Sequence, residues 1–146
     1  MSLETAVAER FERSFGLYRD VLDSVGKQAL TPRLGDLPSN TIGDQLWCVV
    51  GARESYSRAI KVGQWSGFSS SLDDTGDRSQ VKAALARSEA DVREALAARE
   101  EGSDATSGLI LELLEHEAAH QGQLIRYLYA LKLPIPTSWK ARYALG

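Results

Sequence analysis

The chain has 146 residues, of which 43% are hydrophobic and 25% are charged, and its formal net charge is −3. This composition is typical of a globular protein, the length predicts one domain over residues 1–146, and the weak acidity argues against a nucleic-acid-binding protein. We expect neither a signal peptide nor a membrane span, because the N-terminus lacks an apolar core segment and no stretch approaches ~20 apolar residues. The single cysteine, Cys48, excludes an internal disulfide and predicts a reducing, cytoplasmic location.

Apolar residues recur every three or four positions in four segments, which predicts amphipathic helices near residues 3–28, 40–62, 77–99 and 105–132. Turn-forming residues separate these segments. Prolines and a glycine lie within residues 31–38, glycines and serines lie within 63–71, and an acidic stretch with a glycine ends the third helix at 100–104. Pro134 and Pro136 end the fourth helix.

No segment shows the apolar alternation of a strand with comparable strength, so the predicted fold class is all-α. Four long amphipathic helices predict a four-helix bundle. We expect short links between the first and second helices and between the third and fourth. A long crossover loop joins the second and third helices and lets them run parallel. Trp65 and Phe68 indicate that this loop is packed, and they would line a ligand pocket if the loop covers one end of the bundle.

The only two histidines, His116 and His120, lie four residues apart in the fourth helix. Residues with this spacing lie one above the other on the same helix face. At about 100° per residue they share an arc of about 80° with apolar residues, so both imidazoles face the core, and Gln123 borders the same arc. Two aligned imidazoles need more partners than an apolar core supplies. The spacing therefore favours a metal site over a pair of hydrogen-bonded core histidines.

Glu117 completes the pattern H-E-A-A-H, which by itself is typical of a zinc peptidase with the glutamate as general base. Such enzymes draw their third zinc ligand from further along the chain. Residues 121–146 contain no Asp, Glu, His or Cys. We therefore reject this interpretation and expect the third ligand to come from an earlier helix.

Two motifs point to a known family. Residues 116–124, H-E-A-A-H-Q-G-Q-L, resemble the fourth-helix motif of the DinB-like (damage-inducible) family, and residues 46–53, L-W-C-V-V-G-A-R, resemble its second-helix motif. The resemblance implies a four-helix bundle that binds a divalent metal, nickel or zinc, through one histidine of the second helix and two of the fourth. It implies His116 and His120 as ligands. Cys48 occupies the position of the second-helix histidine, and a set of one cysteine and two histidines suits zinc.

The roles of three further candidates stay open at this point. Cys48 is either a metal ligand or a small hydrophobe that packs without a metal. Asp44, one turn before Cys48, either supports or replaces a ligand, or is a first-turn acid that interacts with the helix dipole. Glu117 is a candidate catalytic base or the partner of Arg53 in a buried ion pair.

Two functions of different classes are compatible with these features. The resemblance implies a metal-dependent enzyme, a thiol-dependent transferase or an isomerase such as maleylpyruvate isomerase, whose metal binds and activates a low-molecular-weight thiol. The alternative is a non-catalytic binding or stress-related assembly module with a degenerate metal site. Cys48 acting as a nucleophile without a metal is a weaker option, because the neighbouring sequence lacks basic residues that would depress the thiol pKa.

The fourth helix also carries a second apolar stripe, on the side opposite the histidines. Its members are Leu111, Leu114, Ala118, Ile125 and Tyr129. A second apolar face requires a cover. The C-terminal tail, with Ile135, Trp139 and Tyr143, is one candidate, and a second copy of the chain is the other. DinB-like proteins often pair, so we expect a homodimer through the fourth helix.

Overall fold

The computed structural model describes residues 1–99 and 103–146, and these ranges contain helices and no strand. Within them α1 spans Leu3–Ser24, α2 Ile42–Val62, α3 Arg78–Ala98, α4 Asp104–Ala130 and α5 Thr137–Tyr143, with a 3-10 turn at Lys27–Ala29. The all-α prediction is confirmed, and the predicted bounds of α2, α3 and α4 agree with the structure to within two residues. None of the helices in the described ranges is both long and apolar enough to cross a membrane.

Polar side chains at the N-termini explain where the four long helices begin. Ser2, Asp77 and Ser103 each accept a hydrogen bond from a backbone N–H in the first turn of the helix that follows. Thr41 and Asp44 form a capping box, in which the hydroxyl accepts from Asp44 N–H at 3.0 Å and the carboxylate accepts from Thr41 N–H at 3.3 Å. These caps satisfy backbone donors that have no partner inside the helix.

The prediction for the end of the first helix was wrong. α1 ends at Ser24 because Val25 adopts an extended backbone, so the connection to α2 covers residues 25–41 and is not a short link. Ala29 and Leu30 in this connection are buried, and the Leu30 carbonyl accepts a 2.9 Å hydrogen bond from Gly43 N–H. The segment leaves the helix because it contributes apolar side chains to the core. The predicted break at 100–104 falls mostly on residues 100–102, outside the described residues.

The long helices pack around two clusters of buried hydrophobic side chains. α2 packs against α3 and α4, while α1 packs against α3, α4 and the short α5. Trp139 of α5 is fully buried, and its indole N–H donates to the Leu17 carbonyl at 2.7 Å. α4 therefore has two sides with different neighbours, one facing α2 and the other facing α1.

The connection between α2 and α3, residues 63–77, packs against α2, as its aromatic residues predicted. The Phe68 ring lies 5.4 Å from the Trp47 ring. The Ser55 hydroxyl donates to the Ser69 carbonyl at 3.1 Å and accepts from Ser69 N–H at 3.0 Å. These contacts hold the connection against the part of α2 that carries Cys48.

Gly43, in the first turn of α2, generates a stability prediction. A Cβ at this position would lie 2.3 Å from the Thr75 carbonyl oxygen and 3.0 Å from the Leu30 carbonyl oxygen, both of them backbone atoms. We expect Gly43→Ala to lower the free energy of unfolding by about 1–3 kcal/mol. Gly108→Ala in α4 is the control, because no atom lies within 4 Å of its Cβ, and it should gain about 0.5–1 kcal/mol. Chemical denaturation measures both, and equal effects would contradict the close contact.

Candidate metal centre

Three side chains from two helices meet between α2 and α4. The ligand atoms of Cys48, His116 and His120 all lie within 4.8 Å of one another. Cys48 Sγ is 3.5 Å from His116 Nε2, which is 3.2 Å from His120 Nε2. His120 is buried and the other two are half-buried. The structure thus brings together the three residues that the sequence suggested as ligands.

Two of the three distances between these atoms match the edges of a tetrahedral zinc site, and the third is at most 4.8 Å. Zinc–nitrogen bonds of about 2.05 Å and a zinc–sulfur bond of about 2.3 Å give tetrahedral edges of about 3.3 Å between nitrogens and about 3.6 Å between nitrogen and sulfur. The observed 3.2 Å between the two Nε2 atoms and 3.5 Å from Sγ to Nε2 are close to these edges. The donor set also suits the metal, since thiolate and imidazole are common zinc ligands.

His120 is held in the tautomer that a metal requires. The Gln45 side-chain NH₂ donates to Asn40 Oδ1 at 3.0 Å, which directs Gln45 Oε1 toward His120 Nδ1, 2.5 Å away. Because Oε1 accepts only, Nδ1 carries the proton and Nε2 keeps its lone pair. The Tyr127 hydroxyl also donates to Asn40 Oδ1. By contrast, His116 Nδ1 is buried without a partner among the described residues, so no hydrogen bond there fixes the tautomer of His116.

Burial also sets the protonation states in this centre. It lowers the pKa of His120 to about 4, with a smaller contribution from the neighbouring His116, and it lowers the pKa of His116. The pKa of the Cys48 thiol is raised by burial. At neutral pH both imidazoles are therefore neutral and able to bind a metal, whereas the thiol must release its proton. A raised thiol pKa also argues against Cys48 as a nucleophile without a metal.

A cavity of about 530 Å³ opens beside the ligands. Asp44 and Gln123, both sequence candidates, line it, and so does Asp73 of the 63–77 connection. The Asp44 carboxylate also serves the capping box of α2, which agrees with the interpretation of this residue as a first-turn acid. The mouth of the cavity therefore carries two carboxylates close to the candidate ligands.

The aromatic residue at this cavity differs from the one predicted. Trp47 lines the cavity, and its ring packs on Phe68. Trp65, the predicted pocket residue, lies 4.8 Å from the Tyr56 ring and is absent from the cavity lining. The cause is the path of the connection, which places Phe68 rather than Trp65 over the turn of α2 that carries Cys48.

Glu117 follows His116 in α4 but points toward a different side of the helix. Its Oε1 lies 3.0 Å from Arg53 Nε and 2.9 Å from Arg53 Nη2, and it accepts from the Ser14 hydroxyl at 3.1 Å. Glu117 and Arg53 are 1% and 0% exposed, so the ion pair is buried. Since consecutive helical residues are rotated by about 100°, Glu117 does not share the cavity beside the histidines. The structure supports the buried ion pair and gives no support to Glu117 as the catalytic base.

Comparison with known proteins adds no assignment. No family model matches the chain, and no curated protein matches it significantly.

The sequence did not identify Gln45 as a partner of His120, and this hydrogen bond can be tested by mutation. Removing its amide with Gln45→Ala frees His120 Nδ1 to take the other tautomer, so we expect zinc affinity to fall by about tenfold or more. Gln123→Ala is the matched control, because Gln123 lines the same cavity without a hydrogen bond to either imidazole in the described structure. Competition with a chelating dye measures both affinities. Equal losses in the two variants would contradict the role of Gln45.

Proposed function

We propose that this protein is a DinB-like metal-binding protein whose four long helices form a bundle, with residues 63–77 as the crossover between α2 and α3. Cys48, His116 and His120 would hold one divalent ion, zinc or nickel. The observation that carries the proposal is the convergence of one sulfur and two nitrogens within 4.8 Å. We also expect the protein to function in the cytoplasm, where the Cys48 thiol stays reduced.

The residues in the two DinB-like motifs have separate structural roles, and this supports the proposal. In the second-helix motif, Cys48 lies at the candidate centre and Arg53 forms the buried ion pair. In the fourth-helix motif, both histidines lie at the same centre and Glu117 accepts from Arg53. If the resemblance came only from a shared preference for helix-forming residues, we would not expect members of two distant motifs to lie in direct contact.

The favoured activity is a thiol-dependent transfer or isomerisation. A bound divalent ion with three protein ligands has an open position, at which it lowers the pKa of a low-molecular-weight thiol. The chain contributes the remaining parts. Gln45 orients His120, and the Trp47 ring offers an apolar wall for the substrate. The carboxylates of Asp44 and Asp73 at the cavity mouth favour a substrate that carries hydrogen-bond donors or positive charge there.

Cys48 supplies the test of the metal site. Cys48→His restores the ligand set that the family resemblance implies and should bind zinc more tightly, whereas Cys48→Ala should weaken binding because one of three ligands is lost. Zinc binding to the wild-type protein should also release about one proton and weaken as the pH falls, because the thiol must ionise. Metal analysis after loading and dialysis measures stoichiometry. The site is refuted if the loaded protein keeps no stoichiometric metal and neither substitution changes that.

The second candidate function is a non-catalytic binding or stress-related assembly module. The observation that favours it is Cys48 itself, because a protein thiolate donates charge to the metal and reduces its attraction for an incoming thiol. Cobalt-loaded protein separates the two functions, since a thiol bound to cobalt adds a charge-transfer absorption band. For the enzyme we expect cysteine or 2-mercaptoethanol to add a saturable band in both wild type and Cys48→Ala. Unchanged spectra in both would favour the non-catalytic module.

The homodimer through α4 stays a prediction. On the apolar stripe of α4, Leu111 and Tyr129 are exposed, while Leu114 and Ile125 pack partly against the core clusters. The exposed members are therefore the ones available to a second copy. Light scattering should give twice the 16.0 kDa chain mass, and Leu111→Glu should halve it without unfolding the helices. A wild-type mass of one chain would contradict the dimer.

A further inference from the structure

A second polar cavity, of about 270 Å³, lies on the side of α4 that faces α1 and α5. It is separate from the metal centre, whose cavity is lined by α2, α4 and the 63–77 connection. Three arginines surround it, Arg10 and Arg13 from α1 and Arg142 from α5. Its inner wall contains Ser14, Glu117 and Gln121.

The three arginines are close together and uncompensated. In the described residues none of them forms an ion pair with a carboxylate. Arg10 Nη1 donates only to the carbonyl of Ala6, and Arg142 lies over the ring of Tyr143. Burial, followed by the charges of Arg142 and Arg10, lowers the pKa of Arg13. Like charges held together without a counter-charge attract an anion.

Only one further carboxylate lines this cavity apart from that of Glu117. It belongs to Glu115, and the Glu117 carboxylate is already balanced by Arg53. Three arginines thus line the cavity together with a single uncompensated carboxylate, and the cavity keeps a net positive charge. Guanidinium groups bind oxyanions through paired N–H donors, so phosphate and carboxylate groups are the ligands that this rim suits.

The inner wall adds a specific acceptor. Gln121 donates from Nε2 to Ser14 Oγ at 2.8 Å, and Ser14 Oγ donates to Glu117 Oε1 at 3.1 Å. The Tyr143 hydroxyl donates to Gln121 Oε1, which ties the wall to α5. Glu117 Oε1 also contacts Arg53, whereas Glu117 Oε2 is buried without a hydrogen-bond partner in the described structure. A buried carboxylate oxygen without a donor is unfavourable unless a ligand or water supplies one.

We propose that this cavity is a binding site for a small oxyanion that carries its own O–H group, such as hydrogen phosphate or a phosphate monoester. Its charged oxygens accept from Arg10, Arg13 and Arg142, and its hydroxyl donates to Glu117 Oε2. The volume of about 270 Å³ suits a small molecule rather than a polymer. The ligand thus satisfies two features that nothing else in the described structure satisfies, namely the unpaired guanidinium groups and the unpaired carboxylate oxygen.

The test is calorimetric titration of the full chain with inorganic phosphate and with sulfate at pH 6.5 and low ionic strength. Sulfate matches the phosphate dianion in shape and charge but has no O–H donor at this pH. We expect one phosphate to bind per chain and sulfate to bind about tenfold more weakly, the difference expected for one hydrogen bond to a buried carboxylate. Arg13→Gln should weaken phosphate binding by about tenfold.

Arg87→Gln is the matched control. Arg87 is exposed on α3, does not line this cavity and forms no ion pair in the described residues. Phosphate binding that Arg87→Gln leaves unchanged supports the site, and equal losses in the two variants overturn it. Absence of saturable phosphate binding also overturns it, and equal affinities for phosphate and sulfate overturn the contact with Glu117. The last measurement uses vesicles of phosphatidic acid. Binding to these vesicles without binding to free phosphate overturns the proposal that the ligand is a small soluble oxyanion.

Discussion

The buried ion pair between Arg53 and Glu117 is the interaction on which the rest of the structure depends. Two charges removed from water cost several kcal/mol each unless they are well paired and hydrogen-bonded. Here the guanidinium lies over the rings of Phe15 and Tyr18, and its Nη1 donates to Ser88 Oγ at 3.3 Å. Side chains from α1, α2, α3 and α4 therefore surround one charge pair, and each of these helices is restrained relative to the others.

This restraint positions the candidate metal centre. Arg53 lies five residues after Cys48 in α2, and Glu117 follows His116 in α4. Fixing the ion pair fixes the register of the two helices, which brings the thiol within 3.5 Å of the imidazole. A slip of one turn between α2 and α4 would both bury an unpaired charge and separate the ligands. The stability of the core and the geometry of the centre thus have the same structural origin.

The sequence predicted those features that depend on nearby residues. Helical periodicity and turn-forming residues located four long helices, and the spacing of His116 and His120 placed both imidazoles on one face. The predicted end of α1 was wrong because residues 25–30 leave the helix and fill the core. This is a tertiary effect that the periodicity of the sequence does not reveal. The short α5 was missed because its seven residues show too little periodicity.

The supporting residues of the site were harder to predict for a similar reason. Gln45 and Asn40 are ordinary polar residues in the sequence, and their role appears only when His120, 75 residues after Gln45, reaches the same point in space. Gln45 lies beside Leu46 and close to Val49 in the sequence, and all three residues are buried. A polar residue among core positions is the signal that would have suggested Gln45. The sequence predicts Trp65 as a pocket residue, whereas Trp47 lines the cavity, because the path of a connection cannot be read from its composition.

The separation of the candidate ligands along the chain would link metal binding to folding. Cys48 and His116 are 68 residues apart, so in an unfolded chain the thiol and the imidazole rarely meet, and the complete ligand set exists only after α2 has packed against α4. An ion that binds the folded chain alone raises its stability by mass action, by about 2.7 kcal/mol at a free concentration one hundred times Kd. The supply of the metal would then set the population of folded protein as well as the occupancy of the candidate centre.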